Sequence, residues 1–307
     1  MTIDVASSPQ AFPLEGQAVR RLLVVFNPAA GGERRARYAQ MLAALQARGC
    51  NVTTIETKAP GHAEEIARNL APDDVDVIVA GGGDGTVNEI VNGLAGKPVA
   101  LGLMPLGTAN VLADELGIPR EPAALARVLA EGPLRTIRTG LANGRRFCMM
   151  AGTGFDARVV AGVSLPLKKV IGPLAYVVKT AQLVFTDGYA GCDLVIDGTP
   201  YRAVSAVVCK GRHYGGPFVA VPAATVHDDL FHVILMHGRG WTSVARYGLA
   251  LMTGRLGKLS DVQIIAARTV EIAGEAGAPV QADGDIITTL PVRIVIAPES
   301  VNMVCPA

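Results

Sequence analysis

The sequence predicts two linked parts of different class. One is an α/β domain with a Rossmann-like parallel sheet over residues 19–134, the other an antiparallel β-sandwich over 135–297. Three observations lead there. Up to residue 134, apolar β-branched runs alternate with segments of helical period, the pattern of a parallel sheet wrapped by helices. After 135, short strands and tight turns take over; Ala142-Asn143-Gly144-Arg145 and Asp197-Gly198 read as type I′ hairpins. Every polar or glycine-rich turn in the first part follows a strand, and open α/β sheets bind ligands at that edge. Residues 1–18 read as a flexible tail, and 298–307 as chain that returns to the first domain.

In chain order, Arg21 to Phe26 reads as a strand ending in Asn27-Pro28-Ala29-Ala30-Gly31-Gly32. A helix follows, with Tyr38, Met41, Leu42 and Leu45 on one face and Gly49 as its stop. Val52 to Glu56 is the next strand, and Thr57-Lys58-Ala59-Pro60-Gly61-His62-Ala63 leads into a short helix. Val75 to Ala80 is a buried strand, and Val99 to Leu103 another, which runs into Pro105-Leu106-Gly107-Thr108-Ala109-Asn110 and a helix with Leu112 and Leu116 inward. Beyond 135, strands are expected near 147–151, 191–196, 201–209, 230–236, 261–266, 268–273 and 278–282. Two helical insertions interrupt them, at about 168–185 and 242–252.

The chain is organised around Gly81-Gly82-Gly83-Asp84-Gly85-Thr86-Val87-Asn88-Glu89. Val87, Ile90, Val91 and Leu94 recur at helical spacing behind it, so the glycines fill a strand-to-helix turn. Glycines let backbone approach a ligand, and the helix start adds partial positive charge, so a phosphate is the natural guest. Asp84 beside phosphates makes sense with Mg²⁺ between them. Thr86-x-x-Glu89 also fits a capping box that would only close the helix. No Walker A loop, G-x-x-x-x-G-K followed by Ser or Thr, occurs in the chain.

These residues resemble the nucleotide loop of the diacylglycerol kinase and sphingosine kinase catalytic superfamily; similar loops occur in NAD kinases and phosphofructokinases. The resemblance extends to Asn27 to Gly31, to Thr57 before its Gly-His-Ala run, and to Pro105 to Asn110. It implies that Asn27, Thr57, Gly82, Gly83, Asp84, Gly85, Thr86, Val87, Asn88 and Thr108 hold ATP with Mg²⁺. In the second domain Gly154-Phe155-Asp156-Ala157 and Tyr214-Gly215-Gly216 are similar to family segments. Gly152 to Ala157 also fits the dinucleotide fingerprint G-x-G-x-x-A, which the lack of a surrounding β-α-β unit rejects. The family holds a structural Mg²⁺ at a place that maps onto Thr225, Asp228 and the carbonyl of Leu230, although His227 and Asp229 depart from its pattern. The spacing of His227, His232 and His237 matches no zinc pattern. Asp283-Gly284-Asp285 stands where the family carries the acids that activate the acceptor hydroxyl, with Asp285 in place of a glutamate. Read alone, it is a surface turn. Which of the two acids is the base stays open.

Composition narrows the function classes. Hydrophobic residues make up 50% of the 307 and charged residues 18%, with a net charge of +1, so the chain has no general nucleic-acid footprint. No apolar run approaches the ~18 residues of a membrane span. Leu165 to Phe185, with Lys168 and Lys169 before Val170, Ile171 and Leu174, reads either as an interfacial element or as a helix packed on the β domain. Five scattered cysteines without a C-x-x-C pair, and a start with Asp4 and Glu15 and no signal pattern, read as a cytoplasmic chain, and the lipid substrate implied by the resemblance would bring it to the inner membrane face. The activity that the resemblance implies is transfer of the γ-phosphoryl of ATP to a lipid hydroxyl at a membrane surface. A homodimer is compatible with the sequence. Two alternatives remain: a small-molecule kinase of the NAD kinase type, whose G-S-T-A-Y motif is absent here, and a catalytically silent nucleotide- or lipid-binding regulator.

Overall fold

The protein is described from a computed structural model over residues 20–28, 31–154, 157–158, 160 and 191–307. The N-terminal tail and the 165–185 segment lie outside the described residues. Among the described residues, twenty strands are numbered in chain order. The first sheet runs β2 (Asn51–Glu56), β1 (Arg21–Phe26), β3 (Val77–Gly82), β4 (Ala100–Pro105), β20 (Val301–Val304), β5 (Leu134–Ile137). All are parallel except β5, which runs against β20. Every residue of β3 and β4 is buried, as in a strand covered on both faces. Helices α1 (Gly31–Ala47), α2 (His62–Asn69), α3 (Asp84–Leu94), α4 (Val111–Glu115) and α5 (Pro122–Glu131) supply the cover. The sheet extends past the expected boundary at 134, because β5 pairs with β20 and not with the sandwich. Chain order reverses between β1 and β3, which puts a crevice at their carboxyl ends.

The second part is a sandwich. One sheet runs β10 (Thr199–Ala203), β9 (Cys192–Ile196), β16 (Thr269–Gly274), β19 (Val292–Ile296), β6 (Gly140–Ala142), β7 (Arg145–Phe147). The other runs β15 (Val262–Ala267), β14 (Phe231–Met236), β11 (Ser205–Cys209), β8 (Met150–Thr153), β17 (Pro279–Ala282), β18 (Asp285–Thr289). Their inner faces share one core, where the Phe147 and Phe231 rings stack 6.0 Å apart. The single strand expected over 201–209 is two, because the chain changes sheet at Val204. All of β11 is buried, since Val207 and Cys209 on its outer face join the core of the first part. Sheet packing thus fixes the second part against the first.

Three two-residue turns have positive φ at both positions: Asn143 and Gly144 (47° and 84°), Asp197 and Gly198 (45° and 83°), Asp283 and Gly284 (49° and 87°). That geometry twists as the flanking strands do, and it favours Asn-Gly and Asp-Gly.

Candidate active site

Backbone hydrogen bonds join the four turns at the carboxyl edge of the first sheet. Thr57 N–H donates to Phe26 O (2.8 Å) and Asn27 N–H to Gly81 O (2.9 Å). Leu106 and Gly107 N–H both donate to Gly82 O (2.9 and 3.2 Å). The Asn27 side chain donates to Thr86 Oγ1 (3.4 Å). Two glycine identities follow from close approach. A Cβ on Gly107 would stand 2.4 Å from Gly83 Cα, and one on Gly82 would stand 2.3 Å from Thr86 Oγ1.

Helix α3 starts from Gly83 with no side-chain cap, so its first-turn N–H groups face the loop mouth. The capping box therefore does not form. Glu89 instead accepts from Gly61 N–H (2.9 Å) and Ala63 N–H (3.1 Å), and holds the start of α2. Val87 packs in the core and its N–H bonds to Gly83 O, so it offers the loop no polar group. Asn88 is buried and donates to Arg146 O (3.0 Å) and Asp283 Oδ2 (3.1 Å), which turns it away from the loop and across the seam. Thr108 Oγ1 accepts from Arg34 Nη2 (3.0 Å). Arg34 thus joins the site; no motif marks it, and only this contact does.

Asp84 does not stand open toward a ligand. Its oxygens accept from Asn110 N–H (2.9 Å) and Val111 N–H (2.7 Å), so it fastens the glycine loop to the start of α4. Burial and then the charge of Asp283 push its carboxyl up to about 6, against these hydrogen bonds.

Asp283 and Asp285 part ways at their turn. Asp283 Oδ2 accepts from Cys148 N–H (2.7 Å) and Asn88 Nδ2 (3.1 Å); Oδ1 accepts from Met149 and Met150 N–H (2.9 and 3.1 Å). Burial raises its pKa, and the four donors pull it back. Asp285 is exposed, with Oδ2 3.3 Å from where a methyl on Gly85 would sit. The hairpin therefore carries Asp285 to the glycine loop of the other part, while Asp283 holds the hairpin in place.

Further bonds brace the seam. Arg145 pairs with Glu64 (2.5 Å), and Arg146 N–H donates to Asn92 Oδ1 (2.9 Å). The buried Glu115 at the end of α4 accepts from Arg212 N–H (3.0 Å) and His213 N–H (3.2 Å), so it holds the chain entering Tyr214-Gly215-Gly216.

At the 225–230 loop a lysine stands beside the positions expected to hold Mg²⁺. Lys210, fully buried, donates from Nζ to Thr225 O (2.9 Å). Burial lowers its pKa to about 8, against the charges of Asp228 and Asp229, so it stays an ammonium at neutral pH. Thr225 Oγ1 accepts from His227 N–H (3.3 Å). His227 Nδ1 bonds to Thr136 O (2.7 Å), and Asp229 pairs with Arg138 (2.5 Å). The two residues that depart from the family pattern are thus held by Thr136 and Arg138, and a buried ammonium stands on the Thr225 carbonyl. Among the described residues no cluster of three His, Cys, Asp or Glu side chains is placed to hold a metal ion.

Comparison with known proteins shows the family. Residues 21–142 match the family described as Diacylglycerol kinase catalytic domain, and 149–305 match the YegS C-terminal NAD kinase beta sandwich-like domain. A diacylglycerol kinase of Bacillus subtilis (strain 168) is 29% identical over 297 residues, covering 94% of this chain and 97% of that one. One of Staphylococcus aureus (strain MRSA252) is 26% identical over 292 residues, covering 94% and 93%. A crystal structure described as a diacylglycerol kinase from Bacillus anthracis str. Sterne shares the fold, with a TM-score of 0.73, 23% identity, and 93% and 97% of the two chains covered. The glycine loop and the acidic hairpin are thus carried by a chain that belongs to the kinase family in which a diacylglycerol kinase catalytic domain precedes a YegS-type β-sandwich.

Proposed function

We propose that this protein is an ATP-dependent lipid kinase that moves the γ-phosphoryl of MgATP to the hydroxyl of a diacylglycerol-like lipid. The observation that carries the reading is Asp285, held by the second part against Gly85 in the glycine loop of the first. The N–H groups of the loop and of the first turn of α3 bind the phosphates, with Arg34, Asn27 and Thr108 around them. Mg²⁺ arrives with ATP as part of the substrate and offsets phosphate charge. Asp285 accepts the proton of the lipid hydroxyl as its oxygen bonds to the γ-phosphorus; the bond to the bridging oxygen breaks, and ADP leaves. Such transfers rest on positioning and charge stabilisation, which a braced seam supplies. The relatives named diacylglycerol kinase support this acceptor over a sphingoid base, ceramide or phosphatidylglycerol.

The test is transfer from labelled ATP to a panel of these lipids in mixed micelles, with NAD⁺ as a further acceptor. Label on diacylglycerol is the expected result. Label on NAD⁺ alone identifies a small-molecule kinase, and ATP binding with no transfer identifies a regulator; either overturns the proposal.

A further inference from the structure

Three of the large apolar side chains that stay exposed sit on one helix. Trp241 is 58% exposed, Leu249 65% and Met252 66%, all on α6 (Gly240–Met252). The inner side of α6 is anchored: Ala250 is in the core, with Tyr247 and Leu251 packed against it. The Tyr247 hydroxyl accepts from Gly238 N–H (2.7 Å) and donates to Asp261 (2.6 Å). The outer side carries Trp241, Ala245, Gly248, Leu249 and Met252 at i, i+4, i+7, i+8 and i+11, a stripe without a charge. A surface helix ordinarily gives that side to polar residues, so an apolar outer stripe needs a partner.

The rim identifies the partner. Arg239, Arg246, Arg255 and Lys258 are all exposed, and no Asp or Glu lies between His237 and Ser260. The nearest acid, Asp261, pairs with Arg246. An apolar stripe rimmed by cations fits an anionic lipid surface. A second copy of this chain would bring the same four cations against them. No described helix is long and apolar enough to cross a membrane, so the contact is one of a helix lying in the interface.

We propose that α6 lies flat in the interface of an anionic membrane, with Trp241, Leu249 and Met252 among the upper acyl segments and the rim cations on lipid phosphates. The lipid-kinase reading supplies only the reason for the visit; the surface itself is independent of it. Trp241 is the one tryptophan of the chain, so its emission reports this surface and no other.

The experiment adds vesicles to the full chain without nucleotide and follows Trp241 fluorescence. With equal parts of phosphatidylcholine and phosphatidylglycerol, emission shifts to the blue and brominated lipid quenches it; with phosphatidylcholine alone at physiological salt neither occurs. Leu249→Glu with Met252→Glu abolishes the shift, and Arg239→Glu with Arg255→Glu weakens partitioning by about tenfold or more. Both double variants keep the parent's turnover on a micellar lipid, because these side chains face away from the core. Emission that stays unchanged while the protein sediments with vesicles places docking elsewhere and overturns the proposal. So does a dimer on sizing columns that the Leu249 and Met252 changes split, since a second copy then covers the stripe. Kinase failure with vesicle binding intact would count against the enzyme reading alone.

Discussion

The turn after β3 and the turn between β17 and β18 both set aspartate beside glycine, yet they use the acid differently. In the first, Asp84 takes two N–H donors and joins two loops of one sheet. In the second, Asp283 takes four donors from both parts of the molecule, and its neighbour Asp285 is left at the surface against Gly85. The difference teaches that the acid with the most donors is the scaffold, and on the proposed function the exposed acid is the one that meets the acceptor. Positive φ at Asp283 and Gly284 makes the division, since an extended chain would point both acids to one face.

The largest expected effect comes from Asp283→Asn. Its amide would face N–H donors that now meet a carboxylate, which costs about 3 kcal/mol or more and loosens the hairpin. Denaturant unfolding and kinetics should show both losses together. Undiminished stability would break the comparison, because Asp283 would then not be scaffold.

Asp84→Asn is the next in size, at about 1–3 kcal/mol with weaker ATP binding. Here pH sharpens the contrast. The folded protein keeps the Asp84 proton up to about 6, whereas the ordinary value is 3.8. The folded state therefore binds more protons across that window, and this contribution to stability is lost as the pH rises through it. The asparagine variant should flatten the dependence of unfolding free energy between about pH 4 and 6. An unchanged slope would assign the titration elsewhere.

The smallest effect is expected from metal removal. With Lys210 on Thr225 O, the melting temperature without nucleotide should not respond to EDTA or to added Mg²⁺. Lys210→Met should lower it, because the Thr225 carbonyl loses its buried donor. A saturable rise of the parent's melting temperature with Mg²⁺ would restore a metal to the 225–230 loop.

Much of this architecture is legible in the sequence. Continuous apolar runs mark β1, β3 and β4 of the first sheet and a 3.6-residue period its helices, and three Asx-Gly pairs sit at three positive-φ turns. The less legible parts have physical reasons. Residues 298–307 read as returning chain, but not as a strand between β4 and β5, since the four residues of Val301–Val304 are too short to carry a period. The start of helix α5 is marked by Glu121-Pro122, where the Glu121 carboxylate accepts from Ala123 and Ala124 N–H (2.9 and 2.6 Å). In the site, the motif locates Asp84, Asn88 and Asp283 but not the donors to Asp84 and Asp283, which come from residues 26 to 195 positions away. Lys210 follows an apolar strand and reads as a strand end; its burial under the 225–230 loop is a tertiary fact.

The central claim, that Asp285 meets the acceptor hydroxyl while Asp283 holds it there, is tested most directly by the steady-state kinetics of Asp285→Asn on diacylglycerol micelles, with its melting temperature measured alongside. The account predicts a kcat lowered by about 10²-fold or more, unchanged ATP affinity and an unchanged melting temperature, with partial activity in Asp285→Glu. An Asp285→Asn protein that is folded and turns over like the parent would contradict it.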